Sequence, residues 1–452
     1  MSLIVCAGLA LAMTGLFLRK PRSILLAFLV FLLFQDFLVA LFGGRASVLG
    51  GALQNLDELG LLLIAAAAFV LAVQRGTFRR AGWNIWWLGF AVACALSIQL
   101  AGSGWGRGLV GFVLVSKGFL FAFAVDQTVW QPGDDRRWIR MIAAVVGVHL
   151  VFAIPDLVAP AAFRTAVGFD PGVEYRGALP SVMSLAGHPG GFGWIAMVGL
   201  LIALATMLTR GPRNWWFLAA MSLVGVILSA RRKPVIGMAI ALLAAVAVRR
   251  GRISGRGLVI GFAAVALVLV PAAALLWPVL VGGLRAYLGE SAITVQARTA
   301  LYAGAYLLAR QYLPFGVGLG RYGSYGSIVD YSDVYYRFGF NAIYGMSPTF
   351  PNFIQDTFWP QVLGETGIIG LVCYAGAIAM ILANVAAAAR RTPGRNKWLP
   401  MAAFLILIET LFESGAAPSF TTASQACLSL GLARLAIRVP VNEIRGPEVV
   451  NA

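Results

Sequence analysis

Apolar runs, each closed by a short basic or glycine-bearing break, repeat from one end of this chain to the other. About 20 apolar residues suffice for an α-helix to cross a hydrocarbon core roughly 30 Å thick. Runs near that length fall at 3–18, 23–43, 58–74, 82–100, 107–125, 139–158, 192–209, 215–230, 235–248, 257–280, 361–389, 397–415 and 421–438. The pattern predicts an all-α integral membrane protein of about 12–13 transmembrane helices. It forms one polytopic domain over 1–452, with no soluble domain inserted.

Two longer breaks, 159–191 and 281–360, are predicted to be loops, the larger lying between late helices. Within the larger, helical periodicity predicts a helix over Thr294–Tyr312 that lies at the membrane interface. Pro314-Phe-Gly-Val-Gly-Leu-Gly320 ends that helix and lets backbone approach a neighbour closely. The tyrosines and glycines of this loop suit a hydroxyl-rich ligand that stacks on rings.

Composition excludes the soluble classes. The chain is 60% hydrophobic and only 12% charged, too few charges to cover a folded surface in water. Its four cysteines all lie in apolar segments without metal or disulfide spacing, and two histidines cannot make a His-rich metal centre. No carboxylate cluster of the magnesium-binding type is visible, so neither a metal nor another cofactor is expected. The net charge of +17 points to the lipid bilayer rather than nucleic acid, because loop arginines and anionic lipid explain it.

Charge placement sets an expected orientation. Arg19-Lys20-Arg22, Arg75-Arg79-Arg80, Arg136-Arg137-Arg140, Arg210-Arg213, Arg249-Arg250-Arg252-Arg256, Arg390-Arg391-Arg395-Lys397 and Arg434, Arg438 and Arg445 fall on alternate loops. Cytoplasmic loops carry such an excess, so the N-terminus is expected outside and the C-terminus inside. Both large loops then face outside, with 44–57, 101–106, 231–234 and 416–420. One short outside turn breaks the bias, Arg231-Arg232-Lys233-Pro234. Three like charges in one turn are costly unless an anion neutralises them.

Arginine holds phosphate bidentately, so Arg176, Arg231, Arg232 and Arg298 are candidate phosphate ligands. The plainer alternative for the loop arginines, Arg321 among them, is pairing with lipid headgroups or with Glu290, Asp330 and Asp333. Asp356 and Glu365 lie where the large loop re-enters the membrane. Asp356 is either a general base or a helix N-cap, and Glu365 a structural or orienting group. His188 is a second base candidate or a turn residue. Lys117, inside a span, is a functional cation or one that snorkels to an interface.

Three stretches, in order, resemble the O-antigen ligase and O-antigen polymerase family of bacterial envelope enzymes. They are Leu228-Ser-Ala-Arg-Arg-Lys233 between two spans, Arg298 followed by Pro314-Phe-Gly-Val-Gly-Leu-Gly-Arg-Tyr322, and Asp356-Thr-Phe-Trp-Pro-Gln-Val-Leu-Gly-Glu-Thr-Gly-Ile-Ile-Gly370. A weaker fourth is Arg176-Gly177 followed by Gly187-His-Pro-Gly-Gly-Phe192. The resemblance implies a multi-pass glycosyltransferase of the bacterial inner membrane, with undecaprenyl diphosphate-linked oligosaccharides as donor and acceptor. Other polysaccharide assembly proteins are expected partners. Ligases of the family carry a catalytic His where this chain has Asp356, which points toward the repeat-unit polymerases of exopolysaccharide, capsule or O-antigen.

On that reading Arg231, Arg232, Arg298 and Arg176 stabilise a leaving diphosphate, and Asp356 takes the proton of a sugar hydroxyl. Transfer would be metal-independent and inverting. His188, Lys233, Arg321, Tyr322 and Glu365 would support the substrate. The rival functions are a ligase with a different acceptor, a transporter or flippase of lipid-linked saccharide, and a non-catalytic adapter.

Overall fold

The computed structural model describes residues 1–176, 179–210, 215–249, 293–392 and 397–440. The side chains of Arg176 and Arg232 and the expected span 257–280 lie outside that description. The protein is an all-α integral membrane protein. Its helices are α1 (Ser2–Arg19), α2 (Pro21–Leu41), α3 (Val48–Gln74), α4 (Gly82–Ala101), α5 (Trp105–Gln127), α6 (Asp134–Val158), α7 (Pro160–Ala166), α8 (Pro189–Arg210), α9 (Trp215–Leu228) and α10 (Arg232–Arg249). After the second large break come α11 (Ile293–Gln311), α12 (Tyr325–Val329), α13 (Asp333–Arg337), α14 (Trp359–Arg391), α15 (Trp398–Glu413) and α16 (Ala423–Arg438). Among the described residues, α1 to α6, α8 and α14 are long and apolar enough to cross a membrane, and α9 and α10 are shorter apolar helices.

Local signals set the ends. Pro21 opens α2, where its missing N–H costs nothing, and the Ser47 hydroxyl caps α3 by accepting from the Gly50 amide at 2.9 Å. Gly102 ends α4 in the left-handed conformation. Large apolar side chains stand exposed on the outer faces: Ile4 and Leu11, Ile85 and Val92, Val151 and Ile154, Trp216 and Phe217. In water this would be an aggregation surface; in lipid it is the expected exterior. α15 runs through the centre, packed on α8, α10, α14 and α16 and buried from Trp398 to Thr410.

Several charges inside the bundle are paired. Lys117 of α5 donates to Asp57 at 2.6 Å and Glu58 at 2.8 Å, and Gln35 donates to Asp57 at 3.2 Å. This corrects two expectations. The loop predicted over 44–57 ends at Val48, so both acids belong to α3, and Lys117 is held by them instead of snorkelling. An apolar stripe followed by two acids does not reveal that the partner cation lies on another helix. Likewise Arg434 and Arg438, counted with the inside loops, belong to α16 and clasp Asp126 of α5 at 2.9 and 2.8 Å.

The break before α14 is a compact insert, described from Ile293, and not an open loop. Its core joins Ala297, Leu301 and Leu308 of α11 to Tyr322, Tyr335, Phe340 and Ile354. α11 appears at the predicted place and packs its apolar face on this core and on α14.

Candidate functional site

The insert is fastened to the bundle at a break in α14. Gly367 takes φ +65°, ψ −166°, which interrupts the helix one turn after Gly364. The carbonyls this frees accept from the glycine loop: Val317 N–H donates to Gly364 at 3.0 Å, and Gly318 N–H to Glu365 at 3.1 Å. A Cβ on Gly367 would stand 2.1 Å from the Pro314 carbonyl, so only glycine permits the approach. The close neighbour expected for the glycine loop is therefore this helix, not a ligand. Fully buried Glu365 locks the next residues. Its Oε1 accepts from the Tyr322 amide at 3.0 Å and from the Ser324 hydroxyl at 2.6 Å. Glu365 thus orients the loop from inside the fold.

Tyr322 corrects the ligand-stacking expectation. It is fully buried and its hydroxyl donates to the Leu301 carbonyl at 2.6 Å, so it holds the insert together and is closed to substrate. Burial pushes its hydroxyl and that of Tyr335 above the ordinary tyrosine range. The ring-rich sequence was read as a stacking surface; much of it is core.

Five of the remaining predicted residues converge. Asp356, just before α14, accepts from Arg298 of α11 at 2.7 Å. It does not cap α14, whose N-cap is Phe358 without a side-chain bond, so that alternative falls. Lys233 donates to the Ala416 carbonyl and feels the charges of Arg298, Glu413, Asp356 and Arg231. Arg231 pairs with Glu174 at 2.6 Å, and His188 feels Arg231, Glu174, Asp356 and Lys233. Residues from four distant segments therefore share one electrostatic neighbourhood.

The basic turn is shorter than predicted. α9 ends at Leu228 and α10 begins at Arg232, leaving residues 229–231 as the connection, with Ala230 at φ +53°. Arg232 and Lys233 therefore open a helix, where the dipole already presents positive charge. Helix N-termini favour anions and disfavour cations, which strengthens the case that an anion belongs there. Part of that demand is met internally, by Glu174 and Asp356.

The segment before α8 is laced to this turn by a network the sequence did not reveal. Buried Asp156 pairs with Arg164 at 2.9 Å and accepts from the amides of Met183 and Ser184 at 2.6 and 2.9 Å. Arg164 also donates to the Ser181 carbonyl at 2.9 Å, and Val182 N–H donates to Leu228 at 3.1 Å. This sets Glu174 and His188 beside the turn. Burial, then Arg231, pushes the His188 imidazole below its ordinary pKa. Its Nδ1 accepts from the Gly190 amide at 2.9 Å, which assigns the ring proton to Nε2. His188 is thus both turn-former and neutral donor, and the base role suggested for it is not available at Nδ1.

Arg321 is not brought to this cluster. It pairs with Asp333 at 2.7 Å on the far side of the loop, as the plainer reading held. Glu174, Glu413 and Tyr302 are neighbours the sequence did not single out. Tyr302, one turn along α11 from Arg298, donates to the Gly415 carbonyl at 2.7 Å, and burial raises its hydroxyl to about 12. The offset of Tyr302 from Arg298 along one helix was readable, but which elements would meet there was not. No protein-family model and no curated protein matches the sequence.

Proposed function

We propose that this protein is a membrane glycosyltransferase that passes a lipid diphosphate-linked oligosaccharide onto a second lipid-linked repeat, as a polysaccharide polymerase does. One observation carries the reading. Arg231, Lys233, Arg298, Asp356 and His188, drawn from distant segments, gather where α11 and the start of α10 meet the opening of α14. Cations at a helix N-terminus can hold a diphosphate, and a carboxylate beside them can accept a proton.

The Arg298–Asp356 pair fits this chemistry as a resting latch. A diphosphate competes with Asp356 for the Arg298 guanidinium, and its arrival would release the carboxylate. Asp356 would then take the acceptor hydroxyl proton as that oxygen bonds to the anomeric carbon. The bond to the diphosphate breaks, and its electron pair stays with the leaving group beside Arg231, Lys233 and Arg298. Arg298 Nε is buried and has no protein partner among the described residues, so it has bonding capacity in reserve. The His188 Nε2–H would serve as a neutral donor. Attack from the face opposite the leaving group inverts the anomeric centre.

The expected setting is the bacterial inner membrane with the cluster on its outer side and undecaprenyl diphosphate as the lipid carrier. A flippase reading finds some support in the break of α14, since transporters use broken helices. Here the glycine loop fills the break, which favours transfer over transport. Cells carrying Asp356→Asn distinguish the two. Polymer reduced to single repeats, with repeats still exported, supports the transferase; full-length polymer refutes it.

A further inference from the structure

The far face of the insert carries a second concavity, separate from the Arg298–Asp356 cluster. It is an open groove of about 510 Å³, within the roughly 300–1,000 Å³ of sites that take small ligands. Its walls are Arg107, Arg321, Asp330, Tyr331, Ser332 and Asp333, backed by the end of α4 at Gly102 and Ser103. The charges come as two crossed pairs: Arg107 at the start of α5 with Asp330, and Arg321 with Asp333 at 2.7 Å.

We infer that this groove binds a neutral, polyhydroxylated chain, the saccharide of a lipid-linked repeat or of the growing polymer. The lining decides the class. Two guanidinium groups and two carboxylates sum to zero charge, so neither a free anion nor a free cation finds a net attraction. A phosphate that reached Arg321 would meet the Asp333 carboxylate, which the Arg321 hydrogen bond keeps below the usual range and so ionised. A sugar answers both signs at once, because each hydroxyl donates to a carboxylate and accepts from a guanidinium. Planar arginine forks match neighbouring hydroxyls, and the half-buried Tyr331 ring adds an apolar wall.

Glycine lets the walls come together. A Cβ on Gly320, at φ +80°, would stand 2.5 Å from the Arg107 side chain, so the loop bearing Arg321 lies directly on α5. Glu365 holds the next residue, Tyr322, from within. Arg321 on the groove is thus followed directly by a residue that the buried carboxylate of α14 holds in place. The inference rests on the transferase reading for the identity of its ligand, and on the lining alone for its chemical class.

The test uses the full chain in lipid nanodiscs and saturation-transfer NMR. Neutral tetrasaccharides of glucose, galactose and mannose are the probes, with inorganic phosphate as competitor. At least one tetrasaccharide should receive saturation from the wild type. Its apparent affinity should fall about tenfold in Arg321→Ala and in the isosteric Asp333→Asn, a loss of about 1.4 kcal/mol, with phosphate displacing nothing. The inference is overturned if no tetrasaccharide binds, if both variants bind as the wild type does, or if phosphate competes. Asp356→Asn, run alongside, should bind sugar normally. Normal sugar binding together with normal polymer in Asp356→Asn cells would remove the transferase reading and leave the groove. Absent sugar binding with lost polymer would do the reverse.

Discussion

The latch between Arg298 and Asp356 can be tested quantitatively, because stability and turnover should both respond to it. The two groups meet at 2.7 Å, and their side chains keep 33% and 29% of their surface exposed. A charge-assisted hydrogen bond of this kind is worth about 1.5–3 kcal/mol when buried, and exposed pairs give about 0.2–1 kcal/mol. With about a third of each group in solvent, the coupling should come to about 1 kcal/mol. Arg298→Ala, Asp356→Asn and their combination, melted in nanodiscs, would measure that coupling as a double-mutant cycle. In transfer the same two groups take different roles in one step. Losing a cation at the developing diphosphate should cost about 10²–10³ in rate, and losing the proton acceptor about 10²–10⁴. The combined variant should be no slower than about the worse single one, since groups acting as a unit are not additive. Turnover would be read as lipid diphosphate released per unit time from a purified lipid-linked repeat. The reasoning is refuted if either single variant turns over normally. It is also refuted if the cycle shows no coupling, because the latch would then be an accident of geometry.

Further outcomes follow from neighbouring contacts. Glu365→Ala should lower stability by about 2–4 kcal/mol, seen as a drop in melting temperature, because the Tyr322 amide and Ser324 hydroxyl lose their acceptor in a dry site. Glu365→Gln keeps an acceptor and should lose less. Gly367→Ala should abolish a monodisperse yield in size-exclusion chromatography, since the added methyl meets the Pro314 carbonyl. Lys117→Met should destabilise by about 3–5 kcal/mol through the stranded Asp57 and Glu58 charges. Adding Asp57→Asn and Glu58→Gln should restore most of that loss in the same melting assay.

His188 supplies a pH dependence with a definite sign. Its folded pKa lies below the ordinary 6.5, so the unfolded chain takes up the proton first as pH falls. Its contribution to stability is therefore complete above 6.5 and declines as pH drops from 6.5 toward the lowered value. Protonation would also set an Nδ1–H against the Gly190 amide that now donates to it. His188→Gln should flatten the melting temperature over that acidic window, while a profile identical to wild type would show that the imidazole is not the group responsible.

Much of the architecture was legible because a membrane imposes its own length scale. Apart from the run at 257–280, which lies outside the described residues, each expected span meets a helix, and α11 begins one residue before its predicted start. What periodicity could not supply was pairing across helices. Lys117 reads as an anomaly until α3 brings Asp57 and Glu58 to it, and Asp156, within an apolar run, has no visible partner until Arg164 and two amides close on it. Arg231, Lys233, Arg298 and Asp356 were singled out by charge and placement along the chain, and the fold brings them together. The site was misread at Tyr322, because composition cannot distinguish a ring that stacks on a ligand from one that fills a core.

The measurement that bears most directly on the transferase reading is a reaction with one protein present. The purified chain, in liposomes holding undecaprenyl diphosphate-linked repeats and a metal chelator, should release one undecaprenyl diphosphate for each new glycosidic bond. Mass spectrometry should show a ladder of repeats, NMR should show each new linkage inverted relative to the donor, and Asp356→Asn should yield neither. Liposomes in which the lipid-linked repeats stay intact, or merely change leaflet, would contradict the reading.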